Sequence, residues 1–268
     1  MLLPTDRIMP SMESGERGPI GQQTMSPAMA DMSAYPAYLL QQVDAAVGDK
    51  VWEIGVGNGQ TSMALLARGC HVLATDIDLR CLQALELSVA NAMPQVRHRL
   101  VTAQIDLNHP STLDLLQSFG ADSVVSFNVL EHIAEDGAAL SAIARVAAEG
   151  ATLGMVVPAM PALFGRMDSE AGHHRRYTRD ALRKLLEGSG WTIRSCRYIN
   201  ALGALGWWFH NRLRRNAGLQ DPGFNHQMRL SDRWLPRIAR MTDPMLARRF
   251  GLSVSVVAQS RTAASKTD

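Results

Sequence analysis

From Lys50 to Pro158 the chain alternates short apolar runs with amphipathic stretches, and nothing else in the sequence constrains the fold as strongly. Lys50–Ile54, His71–Thr75, Arg99–Ile105, Asp122–Phe127 and Ala151–Val157 read as strands. Between them lie Thr61–Arg68, Leu79–Ala92, Ser111–Phe119 and Asp136–Ala148, which carry apolar residues at helical spacing, as Leu140, Ile143 and Val146 do. Strand and helix alternating this regularly make βαβ units, and right-handed crossovers place helices on both faces of a parallel sheet. The expected class is α/β, a Rossmann-like doubly wound sheet. Such sheets bind ligands beyond the carboxyl ends of their strands, so the residues just after each strand are where chemistry is to be sought.

Residues 1–30, rich in Met, Pro, Gly and Ser and without periodicity, read as a mobile N-terminal segment or, alternatively, a lid. A helix is expected over Tyr35–Val47, stopped by Gly48. After Pro158 the rhythm breaks into a loop carrying Gly172–Thr178, a helix over Arg179–Glu187 and a strand over Trp191–Ile199. An insertion over 200–250 is expected to be helical in two pieces, Gly251–Gln259 alternates like a final strand, and 261–268 reads as a flexible tail. The domain would thus span 31–260.

A formal net charge of +2 gives no global argument for nucleic acid, and none is expected as a partner. Cys70, Cys81 and Cys196 are scattered and odd in number, which fits reduced thiols in a cytoplasmic protein. The N-terminus lacks a signal-peptide core, and no stretch approaches the roughly 20 apolar residues of a membrane span. No Cys/His group has zinc spacing, so no metal is expected.

The turn Glu53-Ile-Gly55-Val-Gly57-Asn-Gly59 follows the first strand. Glycines at alternate positions let backbone approach a ligand with no Cβ in the way. The helix that follows offers free N–H groups and a positive dipole end, suited to a phosphate or an amino-acid carboxylate. A dinucleotide fingerprint needs a glycine where Gln60 stands. Glu53 would sit badly beside pyrophosphate and well beside a cationic amino group. Asp76, with Asp78 behind it, ends the second strand, where an acid can accept ribose hydroxyls. Asp106 ends the third, where a carboxylate can accept from an adenine amino group, and Asn128 follows the fourth.

Val51–Gly59, Ala74-Thr-Asp-Ile-Asp78, Ala103-Gln-Ile-Asp106 and Phe127-Asn-Val-Leu-Glu-His-Ile133 together resemble class I S-adenosylmethionine-dependent methyltransferases, over roughly residues 35–200 plus the final strand. The resemblance implies a seven-stranded sheet, mostly parallel, whose last strand runs antiparallel after the helical insertion. It implies S-adenosylmethionine as cofactor. Glu53, Gly55, Gly57 and Gly59 would face its methionine part, and Asp76, with Ile77 beside it, its ribose. Ile105 and Asp106 would hold the adenine, although many members have Gly-Asp there. Asn128 and Val129 would line the methionine side near the sulfonium.

Methyl transfer from a sulfonium is an in-line displacement, so alignment dominates and a base is needed only if the acceptor must lose a proton. The candidates are His132, His173, His174 and Tyr177, each with a plainer reading as helix-start or polar-loop residue. The insertion carries Trp207-Trp208-Phe209-His210-Asn211-Arg212. From Leu205 to Gly251 it sets nine arginines against Asp221, Asp232 and Asp243. A tryptophan-rich basic helix can cap a pocket, meet a partner or lie on an anionic membrane; contact through 203–216 ranks below a packed helix with a solvated arginine face. The basic cap favours an acidic or phosphate-bearing small-molecule acceptor, in line with specialised metabolism. A nucleotide-dependent oxidoreductase and a non-catalytic S-adenosylmethionine-binding protein remain the alternatives.

Overall fold

The computed structural model describes residues 21–213 and 218–261, with the side chains of Gln22 and 210–213 excepted. Its centre is a seven-stranded sheet in the order β3-β2-β1-β4-β5-β7-β6. The strands are β1 (Lys50–Ile54), β2 (His71–Asp76), β3 (Leu100–Gln104), β4 (Ser123–Phe127), β5 (Thr152–Pro158), β6 (Trp191–Ile199) and β7 (Ser253–Ser260). β1 to β5 are parallel, and β7 runs antiparallel to both β5 and β6. The chain reverses its strand order at β1, leaving a crevice between the carboxyl ends of β1 and β4.

Helices α1 (Ala34–Gln42), α2 (Gln60–Ala67) and α3 (Leu79–Ala92) bury Leu40, Leu65, Leu66 and Leu85 with Val51, Val72 and Val125 of the sheet. α4 (Asp136–Val146) and α6 (Arg179–Gly188) form a second core with Trp52, Leu153 and Trp191. Both buried indoles find acceptors: Trp52 Nε1 donates to Thr75 Oγ1 at 2.9 Å and Trp191 Nε1 to the Leu140 carbonyl at 3.1 Å. Side chains start the helices where expected, Asp78 accepting from the amide of Arg80 and Thr178 from that of Ala181.

Three details depart from the sequence reading. Pro110–Phe119 winds as a 3-10 helix, and a short helix α5 (Arg166–Glu170) stands where only loop was expected. The insertion has three helices, α7 (Ala201–Leu213), α8 (Pro222–Asp232) and α9 (Leu235–Leu246), not two. Prolines explain the extra break: Pro222 opens α8 behind the cap of Asp221 on the Phe224 amide, and Pro236 opens α9 directly after α8 ends.

The expectation for the N-terminal segment lies in part outside the described residues. Those from Gly21 onward form two 3-10 turns, Gly21–Thr24 and Pro27–Ala30, with Ala28 and Met32 buried. Asn225 of α8 accepts from Ser26 Oγ at 2.5 Å and from the Ala28 amide at 2.9 Å. Asp232 accepts from the amides of Ser33, Ala34 and Tyr35, a carboxylate at the open N-terminus of α1. Gln60, at the start of α2, donates to the Met32 carbonyl at 2.6 Å.

Candidate active site

The turn after β1 is built for close approach. Gly55, Gly57 and Gly59 have φ of 80°, 53° and 75°, a region side chains resist. A Cβ on Gly55 would meet Val129 Cγ2 at 2.3 Å, so this glycine is also needed to seat the exit of β4. Met25 of the N-terminal segment leans over Gly57, its sulfur 3.3 Å from where a Cβ would be. Glu53 is buried beneath the turn and receives the Ser62 hydroxyl. Burial pushes its carboxyl up to about 8, against the pull of the Ser62 bond and with the help of nearby Asp76.

Asp76 ends β2 buried, accepting from the Gly57 amide at 3.1 Å and the Asp78 amide at 2.8 Å. Burial raises its pKa. Each of its oxygens keeps acceptor capacity for a further donor. Ile77 beside it is half-buried, and its carbonyl takes a hydrogen bond from Gln104. Ile105 turns into the core. Asp106 is held in its own turn by the amide and side chain of Asn108, with His109 Nδ1 at 3.2 Å.

At the end of β4, Asn128 takes a φ of 53°, a strained conformation of the kind that gathers at functional sites. It throws the chain into the turn Leu130–His132. The crevice therefore brings Glu53, the three glycines, Asp76, Asn128 and Val129 together around one mouth. The residues present fit S-adenosylmethionine: a side-chain-free turn and buried Glu53 for its amino-acid end, and the strand-end carboxylate of Asp76 for its ribose. Bound there, it would supply an electrophilic methyl group on sulfur.

The four candidates for acceptor chemistry separate. Glu131 is fully buried, and neither of its carboxylate oxygens has a hydrogen-bond partner. Its neighbour His132 meets His173 edge to face, ring centroids 4.7 Å apart. Burial, and then His173, push His132 down to about 4, so its ring is neutral. His173 Nδ1 lies 2.9 Å from Asp168, which leaves Nε2 toward Glu131, 3.8 Å from its Oε1. His174 is exposed and contributes only its amide, which donates to the Glu131 carbonyl. The Tyr177 phenol is buried and donates to Asp136 at 2.9 Å, away from His132 and His173 in its bonding. Burial and Asp136 raise its pKa far above the ordinary range, so it stays protonated.

Sequence reasoning did not single out Asp168. It sits fully buried in α5, paired with Arg176 at 2.8 Å under the Trp207 ring, 4.9 Å from the guanidinium carbon. Burial opposes its ionisation, but the His173 bond and Arg176 together hold its pKa below the usual range. Arg175 pairs with Asp136 at 2.7 Å. One signal was present in the sequence: an acid three residues after Gly165, whose amide it accepts, the spacing of a helix start.

The family model described as a methyltransferase domain matches residues 52–153, the stretch that holds the glycine turn, Asp76, Asp106 and Glu131. Residues 52–153 are a methyltransferase domain. A search of curated proteins gave no match. Among solved structures, the methyltransferase is similar to a Bacillus halodurans protein assigned as a methyltransferase, at 17% identity and TM-score 0.55, over 84% of this chain and 99% of that one. It is similar to a Galdieria sulphuraria protein assigned as a sarcosine dimethylglycine methyltransferase, at 12% identity and TM-score 0.56, over 85% of each. A geranyl diphosphate methyltransferase in complex with GPP and sinefungin gives 12% identity and TM-score 0.56, over 85% of this chain and 77% of that one. At such identities the likeness shows the fold. A methyltransferase domain, with Gln60 where a dinucleotide fingerprint needs glycine, counts against the dinucleotide alternative.

Proposed function

We propose that the enzyme methylates a small molecule at a group that must lose a proton, and that the acceptor enters between the exit of β4 and the loop 172–177. The observation that carries this reading is the polar cluster of Glu131, His132 and His173, directly after Val129, which packs on the donor turn. Glu53, Gly55, Gly57, Gly59, Asp76, Ile77, Ile105, Asp106, Asn128 and Val129 would form the donor side. Glu131, His132 and His173 would hold and ionise the acceptor, with Asp168 positioning His173. His174 and Tyr177 have no place in that set. The insertion is of a size that suits a pocket cap better than a macromolecular recognition domain.

An acidic or phosphate-bearing acceptor finds less support at the mouth. Arg175 and Arg176 are both engaged by carboxylates, Arg229 of the insertion pairs with Asp31, and Arg233, Arg237, Arg240, Arg248 and Arg249 of the insertion are exposed. The test is transfer of a radiolabelled methyl group to a panel of phenols, catechols, carboxylates and phosphate esters, with tRNA and a peptide mixture alongside. Turnover confined to small hydroxylic acceptors is expected. Preferential labelling of tRNA or peptide would overturn the reading.

A further inference from the structure

We infer that Glu131, His132 and His173 bind a divalent transition-metal ion, and that its open positions hold the acceptor oxygen. The inference rests on the proposed acceptor site and deepens it. One ligand atom from each of the three side chains lies within 4.8 Å of the others, among the described residues. Two imidazoles and one carboxylate on one side of an ion are a recurrent set that leaves positions open. Such an ion takes its nitrogen and oxygen ligands at about 2.0–2.2 Å. Two further observations point to a cation. A fully buried carboxylate with both oxygens unpartnered is expensive without a positive charge beside it. His173 is also prepared as a ligand, because Asp168 takes its Nδ1 and leaves Nε2 facing Glu131, the carboxylate–histidine arrangement that fixes metal ligands. A hydroxyl bound to such an ion ionises near neutral pH and becomes a nucleophile for the methyl carbon. The oxygen–carbon bond forms as the carbon–sulfur bond breaks, the hydroxyl proton goes to solvent, and sulfur leaves as the neutral thioether.

The test is titration of metal-stripped full-length protein with Co(II) and Zn(II), read by cobalt absorption and calorimetry, with S-adenosylhomocysteine binding measured in parallel. One ion per chain is expected, with affinity reduced at least 100-fold in Glu131→Gln and His173→Ala and unchanged in His174→Ala. Asp168→Asn should weaken the ion by about 10–100-fold, as loss of an outer-shell partner does. Absence of one-to-one binding, or binding indifferent to Glu131→Gln and His173→Ala in variants that still bind S-adenosylhomocysteine, overturns the site. Loss of S-adenosylhomocysteine binding with the ion retained would strike the donor assignment and leave the metal site standing.

A separate observation carries a second proposal. From its cap residue Trp234 along α9, the outward stripe Trp234, Ile238, Met241 and Met245 is apolar and exposed, the two methionines each at 79%. Beside it runs a second exposed stripe, Arg233, Arg237 and Arg240. The acids of this stretch are turned inward, Asp232 to the start of α1 and Asp243 to Tyr38 and the amides of Asn200 and Ala201. α7, which packs against α9, also exposes Trp208 and Phe209. No helix among the described residues is long and apolar enough to cross a membrane. We propose that α9 lies on an anionic lipid surface, its apolar stripe among acyl chains and its arginines at the headgroups.

Vesicle co-sedimentation decides it, with pure phosphatidylcholine against a mixture with about a third phosphatidylglycerol. Binding to the anionic vesicles alone is expected, reduced by high salt, by Arg237→Glu/Arg240→Glu and by Met241→Asp/Met245→Asp. No preference for anionic vesicles, or variants that bind as well as wild type, overturns the proposal. So does a dimer in light scattering that Met241→Asp/Met245→Asp dissolves, because the face would then belong to a second copy of the chain.

Discussion

Single residues at strand ends carry most of what the sequence makes legible about the site. Glu53, Asp76 and Asn128 stood out because a parallel sheet sends its functional side chains to one edge. The role of Asp168 was not legible, because its partners, His173 and Arg176, are reached through a loop that no periodicity describes. Both cases make predictions. Glu53 carries a folded pKa of about 8 against an ordinary 4.5, so the folded state holds the proton more tightly. Its contribution to stability is full below about pH 4.5 and is lost as pH rises toward 8. Glu53→Gln should flatten that part of a denaturation-against-pH profile. A cationic donor amino group favours the ionised acid, so wild-type binding should release a proton below pH 8, visible as a buffer-dependent calorimetric enthalpy. Glu53→Gln should lose the release and bind the donor about 10–100-fold more weakly, the size of one hydrogen bond to a charged group. Asp168→Ala leaves Arg176 buried and unpaired, which costs about 3–5 kcal/mol. A fall in Tm of roughly 6–20 °C is expected by calorimetry, whereas Asp180→Ala, at an exposed acid, should move it by about 1–2 °C at most.

Elements were legible where pattern and local chemistry agreed. Strands β1 to β5 lie close to where alternation put them, and Gly251–Gln259 is the antiparallel strand β7 within two residues. The insertion was harder, since its helix breaks are made by prolines inside one apolar and basic stretch. The N-terminal turns were harder still. Their order comes from contacts about 200 residues away, Ser26 and Ala28 to Asn225 and Asp31 to Arg229, which no local pattern encodes. Those contacts join the segment to α8 while Met25 and Gln60 join it to the donor turn. A segment joined in this way is expected to act as a lid over the proposed donor turn, with its hold on α8 governing donor release. Asn225→Ala removes two bonds to the segment, each worth about 0.5–1.5 kcal/mol. The donor off-rate should rise on the order of tenfold in stopped-flow measurements. Hydrogen exchange should quicken over residues 26–35 and stay unchanged in β1, β2 and β4. An unchanged off-rate would show that the segment is packed there without gating the site.

At the scale of the whole molecule, the parallel sheet followed from alternation and its antiparallel last strand from the family resemblance, but the way the two ends of the chain close on the sheet did not. The node is Asp243 of α9, which accepts from Tyr38 of α1 at 2.6 Å and from the amides of Asn200 and Ala201 where α7 begins. α1 in turn ends in Val43, which lies on the middle of β5 over Gly154. A Cβ at Gly154 would fall 2.7 Å from Val43 Cβ and 3.1 Å from Ala46 Cβ, both close to backbone and without a flexible end to yield. That glycine is what lets the N-terminal helix sit directly against a central strand, and through Asp243 it sets where the insertion stands. Overpacking of this kind costs about 1–3 kcal/mol. Gly154→Ala should lower the urea midpoint accordingly with an unchanged m value, and Tm by roughly 2–12 °C. Because Gly154 belongs to neither the donor turn nor the β4 exit, S-adenosylhomocysteine affinity should stay within about twofold of wild type at a temperature where the variant is folded. A larger loss of affinity would mean that the seat of α1 on β5 also sets the geometry of the crevice.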